Sequence, residues 1–255
     1  MSLPSASSAR SASAGLHACK VSVAFAGLRA LTQVDLCLPP ASIVGLIGPN
    51  GAGKTTMVNV LTGFQPPTEG EVRLDGQAMI GVSAVGFRRG GIARTFQGGR
   101  LFRDLSVLDN LEASGIGLGQ SRSASRAEAL QVLNWMGLGG LAGKPAVALP
   151  YTDERRIAIA RAVMGRPRYL LLDEPAAGMS EHEASELREL IMRLVQELGC
   201  GVLLIEHNLS MVLTTCSHVV VLDSGEVIAS ASPQAVHSSE RVRHAYMGTA
   251  TETVQ

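Results

Sequence analysis

An α/β fold built around a parallel sheet is predicted from three observations. A short apolar strand, 43–48, runs straight into the glycine-rich segment GPNGAGKTT, with helical character beginning at Lys54. A second apolar run, 168–173, ends in two adjacent carboxylates. Between and after these, amphipathic stretches of helical period separate further apolar strands, the pattern of helices packed on a mostly parallel sheet. The 255-residue chain is long enough for one or two domains with a substantial core. Its 46% hydrophobic and 17% charged residues fit a globular protein, not a disordered one. Lys plus Arg and Asp plus Glu are both 22 and aromatics are 4%, which argues against a basic, ring-lined nucleic-acid surface. Cys19, Cys37, Cys200 and Cys216 are scattered without a CxxC, so neither a zinc site nor a disulfide framework is expected.

The elements follow in order. Residues 1–15 are Ser- and Ala-rich without the apolar core of a secretory signal, and are expected to be a disordered tail. Val21, Val23 and Phe25 alternate as one strand, and Val34, Leu36 and Leu38 as the next. Pro39-Pro40 turns the chain into the strand at 43–48. The helix from Lys54 should end near Gly63; a turn at 66–70 precedes a strand at 71–74 and the turn Asp75-Gly76. From about 98 to 148 the strand pattern gives way to helical stretches at 105–111 and 126–136, separated by a Gly- and Ser-rich break at 114–125. This predicts a helical insertion within the α/β domain. A helix at 155–163, with Arg155 and Arg156 leaving its apolar face, leads to the strand at 168–173. An amphipathic helix at 183–198, a buried strand at 201–205, a hairpin about Asp223-Ser224-Gly225 and a last helical turn at 240–247 complete the chain. No apolar run reaches the roughly 18 residues of a membrane span.

Gly48, Pro49, Asn50, Gly51, Ala52, Gly53, Lys54, Thr55 and Thr56 carry the GxxxxGK[ST] pattern between a strand and a helix. Glycines allow backbone N–H groups to turn inward around an anionic oxygen, and the helix adds its positive end. The Lys54 ammonium suits β- and γ-phosphates, and the Thr55 hydroxyl suits Mg²⁺. Asp173 and Glu174 lie at the carboxyl end of an apolar strand, the edge where ligands collect in open α/β sheets. Asp173 is placed to hold Mg²⁺ through water, and Glu174 to polarise a water attacking the γ-phosphate. No second substrate pocket is signalled, so hydrolysis fits better than kinase chemistry.

With GPNGAGKTT, RTFQ ending at Gln97, LPYTDERR, LLDEP, AAGMS and the Glu206-His207 pair in this order, the chain resembles the nucleotide-binding subunits of ABC transporters over roughly 16–248. VAFAGLRAL, GIARTFQ, LSVLDNL, LLDEPAAGM, LLIEHNLSMV and AYMG resemble the branch that imports branched-chain amino acids, a pattern shared by importers of other amino acids, amides and urea. The resemblance implies a P-loop NTPase with a RecA-like core, an antiparallel β subdomain and a helical subdomain inserted at about 98–165, with a polar tail at 249–255. It implies ATP and Mg²⁺, a second identical or homologous cassette, two membrane permease subunits and, indirectly, a periplasmic or extracellular solute-binding protein. It places the protein peripherally on the cytoplasmic face of a membrane.

The same resemblance assigns residue roles. Phe25 is implied to stack on adenine; the alternative is an ordinary core position. Gln97 is implied to contact Mg²⁺ and the attacking water, and His207 to hold Glu174 and water in line. The loop 177–180 is implied to cross a dimer interface, with Ser180 where Asn or Asp is common. Leu149, Pro150, Tyr151, Thr152 and Asp153 stand where the family usually has Leu-Ser-Gly-Gly-Gln, the segment that caps ATP on the opposite subunit. Tyr at the first glycine is familiar in the branched-chain branch; Thr152 at the second is a departure. Its branched side chain limits the backbone and adds bulk near phosphate, although its hydroxyl could serve as a substitute donor. Pro150 lacks an N–H, and Asp153 sets a negative charge where a neutral amide is usual. Two other functions are weighed: an ATP-binding cassette with little hydrolysis of its own in a heterodimer, and a soluble ABC ATPase unconnected with transport. The short, Gly-rich insertion argues against the second, whose members usually carry long heptad insertions.

Overall fold

The computed structural model describes residues 14–247. Two sheets share the molecule. The first is antiparallel, in the order β2-β1-β4-β5, from β1 (Leu16–Phe25), β2 (Leu28–Leu38), β4 (Glu69–Leu74) and β5 (Gln77–Ala78). The second runs β10-β9-β3-β8-β7-β6, from β3 (Ile43–Ile47), β6 (Ile92–Arg94), β7 (Tyr169–Asp173), β8 (Gly201–Ile205), β9 (His218–Asp223) and β10 (Glu226–Ala231). It is parallel except at β10, which forms the antiparallel hairpin expected about Ser224-Gly225.

β3, β7 and β8 are buried along their whole length because both faces are covered. Alternate residues feed separate cores. Ile43 and Ile47, Leu170 and Leu172, and Val202 and Leu204 pack with Ile157 of α5 (Tyr151–Val163) and with Leu187 and Ile191 of α6 (Glu181–Leu198). Val44 and Leu46, Leu171, and Leu203 pack with Met57 and Leu61 of α1 (Lys54–Leu61) and with Val23 and Leu31 of the antiparallel sheet. The period of two thus sorts one strand's side chains into two hydrophobic cores.

α3 (Val107–Gly117) and α4 (Arg122–Trp135) correct the expected break at 114–125. α3 continues through Gly117, and α4 already begins at Arg122, capped by the Ser121 hydroxyl accepting from Ala124 N at 3.2 Å. The small residues serve close helix contact instead. A Cβ at Gly115 would lie 2.1 Å from Ser125 Oγ, while that hydroxyl donates to the Glu112 carbonyl at 2.7 Å. The Glu112 carboxylate accepts from Arg122 and Arg126 at 2.7 and 2.8 Å, fastening the pair.

α5 starts at Tyr151, four residues before the predicted start, so LPYTDERR supplies the helix's own first turn. Arg155 does not leave the apolar face; it is 7% exposed. α6 opens with a full capping box, Ser180 with Glu183, and closes on Gly199 at φ 64°. Unpredicted are the short α2 (Ala84–Arg89), β6, α7 (Leu209–Thr215) and α8 (Pro233–Ser238), each too brief to show a period. α9 (Glu240–Met247) lies where the last helical turn was expected. The tails expected at 1–15 and 249–255 fall, apart from Ala14 and Gly15, outside the described residues.

Candidate active site

β3 ends at Ile47 and the chain wraps into a loop before α1 begins at Lys54. A Cβ at Gly48 would sit 2.1 Å from the Leu222 carbonyl oxygen, so only glycine lets the loop leave the sheet beside β9. Gly53 caps α1 at φ 100°, and a Cβ there would come within 2.7 Å of the Ala30 carbonyl. The resulting cavity, about 220 Å³, is lined by Asn50 to Thr56 together with Ala30, Glu174 and His207. Lys54 is 8% exposed and donates from Nζ to the carbonyls of Gly48 and Pro49 at 2.7 and 2.9 Å. Burial pulls its pKa below the ordinary lysine value, opposed by the carboxylates of Glu174 and Asp173. A buried cation at a helix N-terminus, ringed by a glycine-rich backbone, fits a polyphosphate by size and charge.

The other side of the cavity comes from the ends of neighbouring strands. Asp173 closes β7 and is 8% exposed; its Oδ2 lies 3.4 Å from Arg94 Nη2, and its N–H donates to the Thr95 hydroxyl at 3.1 Å. Burial pushes its carboxyl pKa up, with Arg94 pulling the other way. Such a carboxyl gains most from a cation; the hydroxyls of Thr55 and Thr56 line the phosphate cavity, which Glu174 borders and Asp173 itself does not. Glu174 follows with a positive φ of 49°. Its Oε1 lies 2.6 Å from His207 Nε2, and its Oε2 accepts from Gln97 Nε2 at 3.0 Å. His207 is delivered by the end of β8, the strand between β3 and β7. Lys54, Glu174, His207 and Gln97, remote in sequence, therefore meet at one sheet edge.

The sequence model of the ABC transporter family matches residues 31–177. The chain belongs to the ABC transporter family. It is an ATPase cassette of that family. It is 39% identical over 241 residues to the high-affinity branched-chain amino acid transport ATP-binding protein BraF of Pseudomonas aeruginosa, covering 89% of this chain and 94% of BraF. The corresponding protein LivG of Escherichia coli K12 matches at 39% with the same coverage. The ADP conformation of the ABC transporter cassette MJ1267 superposes with a TM-score of 0.84 at 28% identity, covering 92% of this chain and 98% of that one. The cassette MJ0796, solved as a dimer, superposes at 0.78 with 26% identity, covering 86% and 98%.

Leu149 to Asp153 of the cassette do not line its own phosphate cavity. They form the start of α5 beside the loop after Glu174. A Cβ at Gly178 would be in van der Waals contact with the Tyr151 ring, at 3.4 Å. Thr152 does not offer its hydroxyl to solvent: Oγ1 donates to Glu183 Oε1 at 2.7 Å. Phe25 lies at the end of β1 and is 48% exposed, so it is not a core residue, and it does not line the phosphate cavity.

Sequence reasoning gave no role to several residues of the ABC cassette's site. Arg94 and Thr95 hold Asp173, and the Arg94 guanidinium stacks 4.6 Å from the Phe96 ring. Glu206, 3% exposed, accepts from Ala176 N at 2.7 Å and fixes the chain after Pro175. Arg155 donates to the Glu174 carbonyl and the Tyr151 hydroxyl. Each adjoins a residue of recognised chemistry in sequence, Arg94 and Thr95 just before Gln97, Glu206 beside His207 and Arg155 after Asp153, and no pattern of its own marks it.

Proposed function

We propose that this cassette hydrolyses ATP to ADP and phosphate to drive import of branched-chain or related amino acids through separate permease subunits. The observation that supports this best is Glu174 at the cavity mouth, held by His207 and Gln97 on its two oxygens. In this reading Gly48 to Thr56 bind the phosphates through backbone N–H groups and Lys54. Phe25 stacks on adenine from the adjacent sheet, and Leu149 to Asp153 meet the nucleotide of a second cassette. Thr55, Gln97 and Asp173 would hold Mg²⁺, which supplies charge neutralisation on the phosphate oxygens. Glu174 accepts the proton of the attacking water, and His207 keeps that carboxylate in line. The water oxygen bonds to the γ-phosphorus as its bond to the bridging oxygen breaks, so ADP leaves with the electron pair.

The partners are a second identical or homologous cassette, two permeases and, through them, a periplasmic or extracellular solute-binding protein. No nucleic acid is involved. Among the described residues no helix is long and apolar enough to cross a membrane. In this reading the cassette acts from the cytoplasmic face while attached to its permeases. The likeness to BraF and LivG supports the solute class.

Glu174→Gln should retain Mg·ATP binding and lose turnover by about 100-fold or more, within the range general base catalysis contributes. ATPase rates and calorimetric binding, measured with the cognate permeases, check this; near-normal turnover would falsify the role of Glu174. Uptake of radiolabelled leucine into vesicles holding the assembled transporter tests the solute class, and absence of uptake while methionine or urea enters removes it. One observation favours a second reading, a heterodimeric cassette with little hydrolysis of its own. The Thr152 hydroxyl is committed to Glu183, and Asp153 adds negative charge beside the site of a partner's phosphate.

A further inference from the structure

Glu174 combines two uncommon backbone features. It has φ 49°, rarely adopted by a residue with a side chain, and it immediately precedes Pro175. Such a conformation persists only where the surroundings over-determine it. Its N–H donates to the Ile205 carbonyl at 2.9 Å, which fixes one side of the residue to β8. The other side is fixed by a side chain from α5: Arg155 Nη1 donates to the Glu174 carbonyl.

Arg155 is an expensive way to supply one donor. Its guanidinium is buried, and among the described residues no carboxylate forms an ion pair with it. Its Nε has no hydrogen-bond partner. Its charge is offset by the Tyr151 ring, 4.6 Å from the guanidinium carbon, and by the Tyr151 hydroxyl, which accepts from Nη2. A buried, incompletely partnered charge weakens a fold relative to an apolar side chain of similar volume. Its place is better explained by what it positions.

We infer that Arg155 is a positioning residue for Glu174. It holds the Glu174 peptide so that the carboxylate faces the phosphate cavity, and Tyr151 holds Arg155 flat beside it. The start of α5 and the catalytic carboxylate thereby move as one unit. A displacement of Tyr151, at the segment facing a second cassette, is transmitted to Glu174 through a single guanidinium. This rests on Glu174 acting as the base, as proposed above.

The test uses the full chain with its permeases, comparing Arg155→Ala, Arg155→Lys and Tyr151→Phe with Glu174→Gln. Arg155→Ala should lower kcat by about 100-fold, the scale expected for a misplaced catalytic group, with KM for ATP little changed. Millimolar guanidinium should restore part of that kcat without altering KM, because the vacated site matches the ion. Arg155→Lys and Tyr151→Phe should each lower kcat less, again without a rise in KM. Should Arg155→Ala fail to fold, these two milder variants decide the matter. If folded Arg155 and Tyr151 variants turn over at the parent rate while Glu174→Gln is inactive, the positioning role falls and the Glu174 assignment stands. If Glu174→Gln itself turns over normally, that assignment falls first. A kcat loss matched by an equal rise in KM, or indifference to guanidinium, also overturns the inference.

Discussion

Thr152 shows how one side chain can be misjudged from its neighbours in sequence. Its branched carbon and hydroxyl were weighed only against a phosphate across an interface, but the hydroxyl is bonded to Glu183 of α6. That bond links the first turn of α5 to the capping box of α6. Thr152→Val should therefore lower stability by roughly 0.5–1.5 kcal/mol, the usual net value of a hydrogen bond, while Thr152→Ser should be near neutral. Thr152→Gly removes the bond and adds glycine's backbone-entropy cost, up to roughly 0.5–1 kcal/mol, so its thermal midpoint should fall furthest. ATP affinity of the isolated chain should be the same in all three, because Thr152 does not line the phosphate cavity. Thermal unfolding and calorimetric ATP titration check both statements, and an unchanged midpoint in the valine variant removes the tie to α6. Arg155 was misjudged for a similar reason: helical spacing fixes an angle around an axis, and an arginine near a helix start can still turn inward to a carbonyl.

Legibility differs between elements for physical reasons. β3, β7 and β8 are covered on both faces, so each is an unbroken apolar run and was found from sequence. β6 has three residues, and α2, α7 and α8 have six or seven, which is below the length at which a period can be counted. The phosphate loop was fully legible because its glycines answer a steric demand. Gly48→Ala tests that demand. Its added Cβ would meet the backbone oxygen of Leu222, which cannot swing aside as a flexible side chain can. The variant should lose about 1–3 kcal/mol, the usual range for a locally strained backbone, along with ATP binding. Normal stability and normal binding would show that the loop has room to shift. At the start of α6, the Ser180 N–H and the Thr152 hydroxyl hold the Glu183 carboxyl pKa down to about 2. A depressed folded pKa means stabilisation complete above the unfolded value near 4.5 and lost as pH falls through about 2. The Glu183 carboxyl carbon, followed by NMR, should titrate well below the exposed glutamates; a midpoint near 4.5 removes the cap.

At the scale of the molecule, the four cysteines separate by environment. Cys200 and Cys216 are buried in the core shared by β8, α6 and α7, and burial pushes both thiols up to about 12. Cys37 is exposed on β2. A maleimide should therefore label Cys37 in the native protein, while Cys200 and Cys216 react only on global opening of the sheet. Mass spectrometry of labelled peptides under increasing urea reads this directly; early labelling of Cys200 would show that β8 opens locally. The sequence supported the α/β class and singled out Lys54, Glu174, His207 and Gln97, each in a motif with its own chemistry, but not Arg94, Thr95, Glu206 or Arg155 around them. It could not order the strands. That His207 reaches Glu174 depends on β8 lying between β3 and β7, and strand order is set by long-range packing that no local pattern contains.

The strand order also bears on synthesis of the chain. β3 is synthesised before both its neighbours, β8 and β9, which span 201–205 and 218–223. For some 150 residues of elongation an apolar strand carrying the phosphate loop has both hydrogen-bonding edges open. At roughly 5–20 residues per second that interval lasts about 8–30 s. The antiparallel sheet and α1 can cover one face of β3 meanwhile, through Val44 and Leu46, but neither can pair its edges. Until β8 is made, these open edges offer a template for pairing with other chains. Any stop before residue 201 leaves a product whose nucleotide loop has no sheet to stand on.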